Sequence, residues 1–499
     1  MKKVLKWMGV AVLTPILLFL LLTALLYVPP IQNWAVDRVA AIASEQTGMQ
    51  ISVGHVALRF PLNLEVDDVL AVSPPDTLAD IRRAVVDVKL LPLFSSRVVV
   101  DNLELNDARI NTLNLVSDLQ VRGTVNRLQL RSDGIALNEG TVALNGTRIE
   151  GADLLVLLSD TAAVDTTTSV TPWRIDIDGV DILRSKVEVH MPGDSMRVSA
   201  YMGDASIREG VVDLLNGRYR VGSIDWHNGW LTYDLPHEAP VSAGLDYNHI
   251  SLSDINIGID SIDFSTPNLS LSIRQAALRE QSGLAITQLQ GHIGLDSTRL
   301  NLPGLSLRTP YSNIYTRAKV DLNVMDSISP GQLDLQLKAS LGKQDLLLFM
   351  ADTPDLLRRR WPNWPLSVDA DMSGNMQQAL VRRLDITLPT AFHASASGNV
   401  GSLTDMDRLL ADLDLSAEAY DLSLLTAFVP GLGSSYRIPA GMRLTGNVSA
   451  NGPVYSANLT AHQGKGTIRA TGHFNQRAMS YDADVNINQL NLHQFLPKD

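Results

Sequence analysis

The chain offers histidines, carboxylates and one cation-aromatic cluster, and their spacing decides what chemistry each supports. The ten His are His55, His190, His227, His237, His249, His292, His393, His462, His473 and His493. No two stand at i, i+4 or in an H-x-H pattern, so none has a local partner for metal ligation, and they read as strand-face residues. Asp176, Asp178 and Asp181 resemble part of a calcium loop, but the Gly and terminal Glu of such a loop are out of place. Strand alternation instead puts Asp176 and Asp178 on an outward face. No G-x-x-x-x-G-K-[ST], G-x-G-x-x-G or G-x-S-x-G occurs. Asp and Glu total 53, but abundance alone does not make a glycosidase pair. We therefore assign no catalytic, cofactor-binding or metal residue, and read the chain as a non-enzyme that needs no cofactor.

Arg358-Arg359-Arg360-Trp361, followed by Trp364, is the cationic aromatic cluster. It fits contact with anionic lipid headgroups at a groove rim. It also fits a helix whose dipole favours terminal cations, with the Trp residues packed as a lid, and we favour this second reading. Asn145, Asn268, Asn447 and Asn458 form N-x-[ST] sequons, which are short enough to arise by chance.

Composition narrows the class. The 499 residues are 45% hydrophobic and 19% charged, which excludes a disordered chain and allows a large core. A net charge of −12 argues against a nucleic-acid binder, which needs a basic face. The absence of Cys removes disulfide scaffolds, thiolate metal sites and Cys nucleophiles.

The N-terminus sets the compartment. Residues 1–6 carry Lys2, Lys3 and Lys6 and form the expected cytoplasmic tail. Residues 7–28 are uncharged and match the ~20 that a membrane-crossing helix needs. Trp7, Leu17, Leu22 and Val28 mark this anchor. A cleaved signal peptide would have a shorter apolar core and a small-x-small exit, whereas this run leaves through Tyr27-Val28-Pro29-Pro30. The positive-inside rule keeps the N-terminus cytoplasmic and puts the bulk of this single-pass protein outside the inner (plasma) membrane, in the periplasm. Residues 31–47 have Ile31, Trp34, Ala35, Val39, Ile42 and Ala43 at helical spacing, an amphipathic helix stopped by Gly48.

Period two then takes over. Trp173, Ile175 and Ile177 alternate with polar residues, as do Ile255, Ile257 and Ile259, then Leu269, Leu271 and Ile273, then Leu333, Leu335 and Leu337. The parity switches between Leu252 and Ile255, and each switch marks a turn, a bulge or a new strand. Helical patterns are confined to Leu90–Phe94, Lys343–Trp361 and Leu422–Phe428, each limited by a Pro. The unpatterned stretch from Ser159 to Thr171 reads as a loop. The expected fold is mainly β: one transmembrane helix, then an elongated, curved antiparallel sheet with a few short helices.

The last third repeats weakly. Gly374 compares with Gly452, and Gly398 with Gly472. Asp345-Leu-Leu-Leu-Phe, Asp421-Leu-Ser-Leu-Leu and Asn491-Leu-His-Gln-Phe serve as helical tags. The spacing predicts units of roughly 70–78 residues, several strands and one helical insert each, over residues 331–499 after an N-terminal β region at 48–330. Because solenoids need capped ends, the sequence is expected to be truncated at its C-terminus. Helices are too sparse to cover the apolar sheet face. A face that stays open would line a groove for hydrocarbon chains, with Trp173, Ile175, Ile177, Ile255, Ile257, Ile259, Leu269, Leu271 and Ile273 as candidate lining.

Several stretches resemble the AsmA-like superfamily, in particular its TamB branch. They are Val28-Pro-Pro-Ile-Gln-Asn-Trp34, Ala43-Ser-Glu-Gln-Thr-Gly48, Ile51-Ser-Val-Gly-His-Val56, Phe60-Pro-Leu-Asn-Leu-Glu-Val66, Val88-Lys-Leu-Leu-Pro-Leu-Phe94 and Val98-Val-Val-Asp-Asn-Leu-Glu-Leu105. The resemblance is sharp over residues 1–110 and continues as pattern beyond them. It implies an inner-membrane-anchored, bridge-like periplasmic protein whose β-groove carries phospholipid acyl chains toward the outer membrane. It also implies an alternative, a scaffold or chaperone for outer-membrane protein assembly and secretion with a TamA-type outer-membrane barrel as partner. It brings no catalytic set.

Overall fold

The computed structural model describes residue 44 and residues 49–496, apart from 60–62, 89–99, 113–118, 137–140, 159–173, 192, 194, 214–215, 327, 351–354, 403–404 and 428–434. The expected anchor at 7–28 with Trp7, Leu17, Leu22 and Val28, the helix at 31–47 apart from Ser44, the turn at Leu90–Phe94 and the loop at 159–171 lie outside the described residues. Among the described residues no helix is long and apolar enough to cross a membrane.

The chain divides into two compact units. The first comprises residues 1–239 and 248–255, the second residues 240–247 and 256–499. Strands dominate both, because alternating aliphatic and polar residues suit a pleated, half-buried surface.

In the first unit the strands are β1 (Gln50–Arg59), β2 (Asn63–Ser73), β3 (Asp76–Val88), β4 (Val100–Asn111), β5 (Leu119–Ala136), β6 (Thr141–Leu158), β7 (Arg174–Met191), β8 (Met196–Asp213), β9 (Arg218–Val221) and β10 (Ser223–Asp234). Neighbours from β1 to β6 pair antiparallel in chain order. β7 pairs antiparallel with β8, which also pairs with β9 and β10. The sheet is antiparallel, as expected, with the exception of the β6–β7 ladder, which is parallel. Alternation reports which face a residue takes and is silent on strand direction. Residues 159–173 separate the two strands, about the dozen or more residues that a parallel crossover needs.

The long strands of this unit carry kinks. Asp68, Asp107, Arg184, Glu209 and Asn228 have positive φ inside β2, β4, β7, β8 and β10. The ladders keep one register on both sides of each, so no residue is inserted, and the positive φ alone turns the strand and changes which parity faces inward. The parity switch between Leu252 and Ile255 has the same origin. It lies within one strand, β11 (His249–Ser265), at Asp254 with φ 53. The division between the units also falls within β11.

The second unit continues with β12 (Asn268–Glu280), β13 (Ala285–Leu295), β14 (Arg299–Arg308), β15 (Asn313–Asp321) and β16 (Leu333–Leu341). After α1 (Lys343–Phe349) and α2 (Asp355–Arg360) come β17 (Leu366–Gly374), β18 (Ala379–Leu388), β19 (Phe392–Gly401), the 3-10 turn η1 (Met406–Arg408) and β20 (Leu410–Ala419). The 3-10 turn η2 (Ser423–Ala427) leads to β21 (Met442–Asn451), β22 (Val454–Gln463), β23 (Gly466–Asn475) and β24 (Ser480–Asn488). The 3-10 turn η3 (Leu492–Phe495) follows. From β12 to β24 every consecutive pair is antiparallel.

Strands β17–β20 followed by η2 match the order β21–β24 followed by η3, apart from η1, which has no counterpart between β23 and β24. Gly398 and Gly472 are both the seventh residue of their strands. Gly374 ends β17, whereas Gly452 lies in the turn after β21, so that pair is not equivalent.

Closed packing in the second unit is concentrated at strand ends. Leu357 of α2, Leu388 of β18, Ala391 and Leu424 of η2 form a buried cluster, with Trp361, Leu366, Phe392 and Leu425 packed against it. Asp345 tethers α1: its carboxylate accepts hydrogen bonds from the Thr309 and Ser312 hydroxyls in the β14–β15 turn. The paired hydroxyls satisfy a buried charge that would otherwise be costly.

Candidate functional site

The candidate site is the apolar face of the second unit's sheet, built from the β12–β24 register. Directly opposed residues trace one row across the strands. It starts at Ile273, passes through Gly291, Leu305, Thr316 and Leu337, and continues through Ala370, Leu384, Ala396 and Leu415. It ends through Gly446, Leu459, Ala470 and Val485. Large and small residues alternate at every step. Each even-numbered strand contributes Ile, Leu or Val, and each odd-numbered strand contributes Gly, Thr or Ala. With strands about 4.8 Å apart, the large side chains stand roughly 9.6 Å from one another along the row, with recesses between them.

The small positions are constrained by backbone. A Cβ on Gly446 would lie 2.0 Å from the Asn458 carbonyl oxygen, and one on Gly291 would lie 2.3 Å from that of Gly304. A glycine inside a strand marks such a close approach of backbones. On the same face, a cavity of about 540 Å³ is lined by Ala411, Val448, Tyr455, Ala457, Phe474, Tyr481 and other residues. A second cavity of about 410 Å³ lies among Phe392, Leu422, Leu425, Tyr436, Met442 and Phe495, with Arg437 and Glu418 also in its wall.

The row stays half-exposed. Of its residues only Ala370 is buried, and Val485 is 54% exposed. Among the described residues α1, α2, η2 and η3 pack at strand ends and leave the row open. The opposite face is polar and laced by ion pairs between neighbouring strands. Arg383 lies 2.8 Å from Asp369, Arg382 2.7 Å from Asp371, His393 3.1 Å from Asp385 and Arg443 3.3 Å from Glu418. The charged and apolar residues thus segregate by parity, as a sheet with one greasy face requires.

The lining residues expected from sequence fall into three groups. Trp173 lies outside the described residues. In the first unit, Ile175 stands between Val142 and Val212, and Ile177 between Leu144 and Gly210. Ile255 is only 1% exposed and offers no open surface. Ile257, Ile259, Leu269, Leu271 and Ile273 are half-buried, and Ile273 begins the row. Sequence reasoning misses the small partners in the row, because Ala and Gly carry no apolar periodicity.

The other chemically capable residues have local partners. His190 Nε2 lies 2.6 Å from Glu188, and the His292 and His473 rings meet Ser272 and Ser456. Among the described residues no three His, Asp or Glu gather in a way that would hold a metal. Asp176 pairs with Arg174, and Asp181 with Arg208. Asn447 donates to Asp412 and Asp414. Arg358 and Arg360 donate to the carbonyls of Met350 and Ser423, and Lys343 to that of Trp361. The cations therefore tie α2 to its neighbours, while Trp361 packs on the buried cluster and Trp364 stays exposed.

The polar faces shift several carboxyls. His190, and then Lys186, hold the Glu188 carboxyl below its usual range by hydrogen bonding. Across the β14–β15 ladder, Arg299 does the same for Asp321 at 2.6 Å. No family model and no curated protein matches the chain.

Proposed function

We propose that the chain is an inner-membrane-anchored periplasmic protein that holds phospholipid acyl chains along its apolar sheet face and passes them toward the outer membrane. The observation that carries this reading is the half-exposed row from Ile273 to Val485. An aliphatic face open over that many strands gains roughly 0.8 kcal/mol for each CH₂ it removes from water. It offers no directional polar contact that would fix one position. Repetition of the same large-small step makes successive positions nearly equivalent, so the attraction given up at one step is regained at the next. The AsmA-like resemblance of residues 1–110 supports the anchor and the lipid substrate class.

Photo-crosslinking tests the proposal. A benzophenone amino acid at Ile273, Leu337 or Leu415 is expected to capture lipid in cells, while the same group at Lys338 or Ser416 on the opposite face is not. Adducts only to protein from the apolar face, or equal lipid capture from both faces, would refute the conduit. The same resemblance implies a second reading, a scaffold for outer-membrane protein assembly beside a TamA-type barrel, which predicts peptide adducts in place of lipid from the apolar face.

A further inference from the structure

The cavity of about 410 Å³ at the end of β19, β20 and β21 adjoins the buried cluster. Phe392 and Leu425 pack against that cluster and also line the cavity. Apolar side chains thus close the space between α2 and η2, whereas the space between η2 and η3 stays hollow. The sequence differs at the strand ends. Leu388 of the cluster ends β18, and Gln463 ends β22. Gln463 Nε2 donates to Gln494 Oε1 of η3 at 3.0 Å and to the Ala440 carbonyl at 3.1 Å. This amide pair holds η3 in place without filling apolar space. The volume falls at the small end of ligand pockets, roughly 300–1,000 Å³.

One unanswered charge lines this space. Glu418 contributes to the wall, but its carboxylate lies 3.3 Å from Arg443 on the sheet's opposite face. Arg437 differs. Its backbone N–H donates to the Phe495 carbonyl at 2.9 Å, and its Nε–H to the Gln494 carbonyl at 2.7 Å. Both bonds fix the residue against η3. Its Nη groups make no ion pair or hydrogen bond among the described residues, so the rest of the guanidinium fork remains available. Ala417 and Leu444, also in the wall, oppose each other two residues from Leu415 and Gly446 of the row. The cavity therefore lies on the row's own face, at the strand ends.

We propose that this cavity is a discrete site for one acyl chain that carries an anionic head, supplied by a fatty acid or a single-chain phospholipid. The chain fills the space beside Phe392, Leu425 and Met442, and the oxygens of the head accept from the Arg437 Nη groups as a fork. A neutral apolar occupant would leave the guanidinium desolvated and unpaired, so the anion sets specificity. The row offers many nearly equivalent positions, whereas the cavity holds one chain in one place. This site does not require the conduit.

The test uses the full chain in lipid nanodiscs and a palmitic acid that carries a diazirine and an alkyne. After irradiation, mass spectrometry is expected to find adducts on the peptides of Phe392 and Met442 that saturate with probe. Excess palmitate or lysophosphatidylglycerol is expected to lower this labelling at least fivefold. Hexadecanol, an uncharged chain of the same length, is not. Displacement by palmitate alone assigns the anion to a fatty acid, and by lysophosphatidylglycerol alone to a phospholipid head; either supports the proposal. Arg437→Gln keeps a donor for the Gln494 carbonyl and is expected to cut labelling about tenfold, the scale of a charge-assisted hydrogen bond. Leu444→Trp fills the cavity and should abolish labelling there. Circular dichroism verifies that both variants keep their β signal, and adducts at Leu337 in the row should change in neither. Adducts in the row without saturable adducts at the cavity overturn the proposal and leave the conduit standing; adducts at the cavity alone do the reverse. Displacement by hexadecanol as complete as by palmitate, or labelling indifferent to Arg437, also overturns it.

Discussion

Leu415 of β20 stands directly opposite Gly446 of β21, with Leu459 of β22 on the glycine's other side. Two large side chains thus flank a position with none, and the missing Cβ is what lets the β21 and β22 backbones approach. Gly446→Ala puts a methyl 2.0 Å from the Asn458 carbonyl oxygen, so backbone has to move. We expect a loss of roughly 1–3 kcal/mol, the usual scale for overpacking. Gly146→Ala meets nothing within 4 Å and has no positive φ, so it is expected to lie within about 0.5 kcal/mol of the parent. Urea denaturation of both variants checks the contrast.

The buried cluster makes a second expectation. Leu388 is 0% exposed and Leu357 2%, and they join β18 to α2. Either Leu→Ala change leaves a cavity and is expected to cost about 2–5 kcal/mol. Hydrogen exchange should speed up in α2, β18 and η2, which share the cluster. Unchanged protection there would mean that the helices are loosely attached.

The fold is legible in the sequence where aliphatic residues dominate a face. Leu333, Leu335 and Leu337 announce β16, and Leu269, Leu271 and Ile273 announce β12. The odd-numbered strands are harder to read. β19 presents Ala394, Ala396 and Gly398 to the same face, and small residues register weakly in any hydropathy period. Yet they are the recesses of the row, so half of the candidate site is hidden by the property that makes it a site. The parallel β6–β7 ladder is illegible because alternation is identical in both directions. Ile255 shows a further limit: parity places it on the apolar face, but only packing reveals that it is enclosed.

Lipid capture offers a third prediction. Leu415→Asp places a carboxylate in the middle of the row, where an acyl chain would have to leave it desolvated. Crosslinking to lipid from the adjoining Leu459 is expected to fall several-fold. Ser416→Asp, one residue away on the polar face, is expected to leave it unchanged. Equal loss from both variants would point to misfolding instead of a blocked path, and circular dichroism distinguishes the two.

Acid stability follows from the carboxyls that ion pairs depress. Arg299 favours the ionised form of Asp321 in the folded chain, and His190 and Lys186 favour that of Glu188. A carboxyl depressed in the folded state contributes stability that is fully present above its unfolded value, 3.8 for Asp321 and 4.5 for Glu188. That contribution is lost as pH falls through the lower folded value. Stability is therefore expected to hold steady above about pH 5 and to decline below about pH 4. Asp321→Asn and Glu188→Gln remove the titrating groups. Each should begin slightly less stable at neutral pH, because exposed pairs contribute little, and should lose less between pH 5 and pH 3 than the parent. Urea midpoints at these three pH values test the sign: a variant that declines as steeply as the parent would show that these pairs do not govern the acid limb.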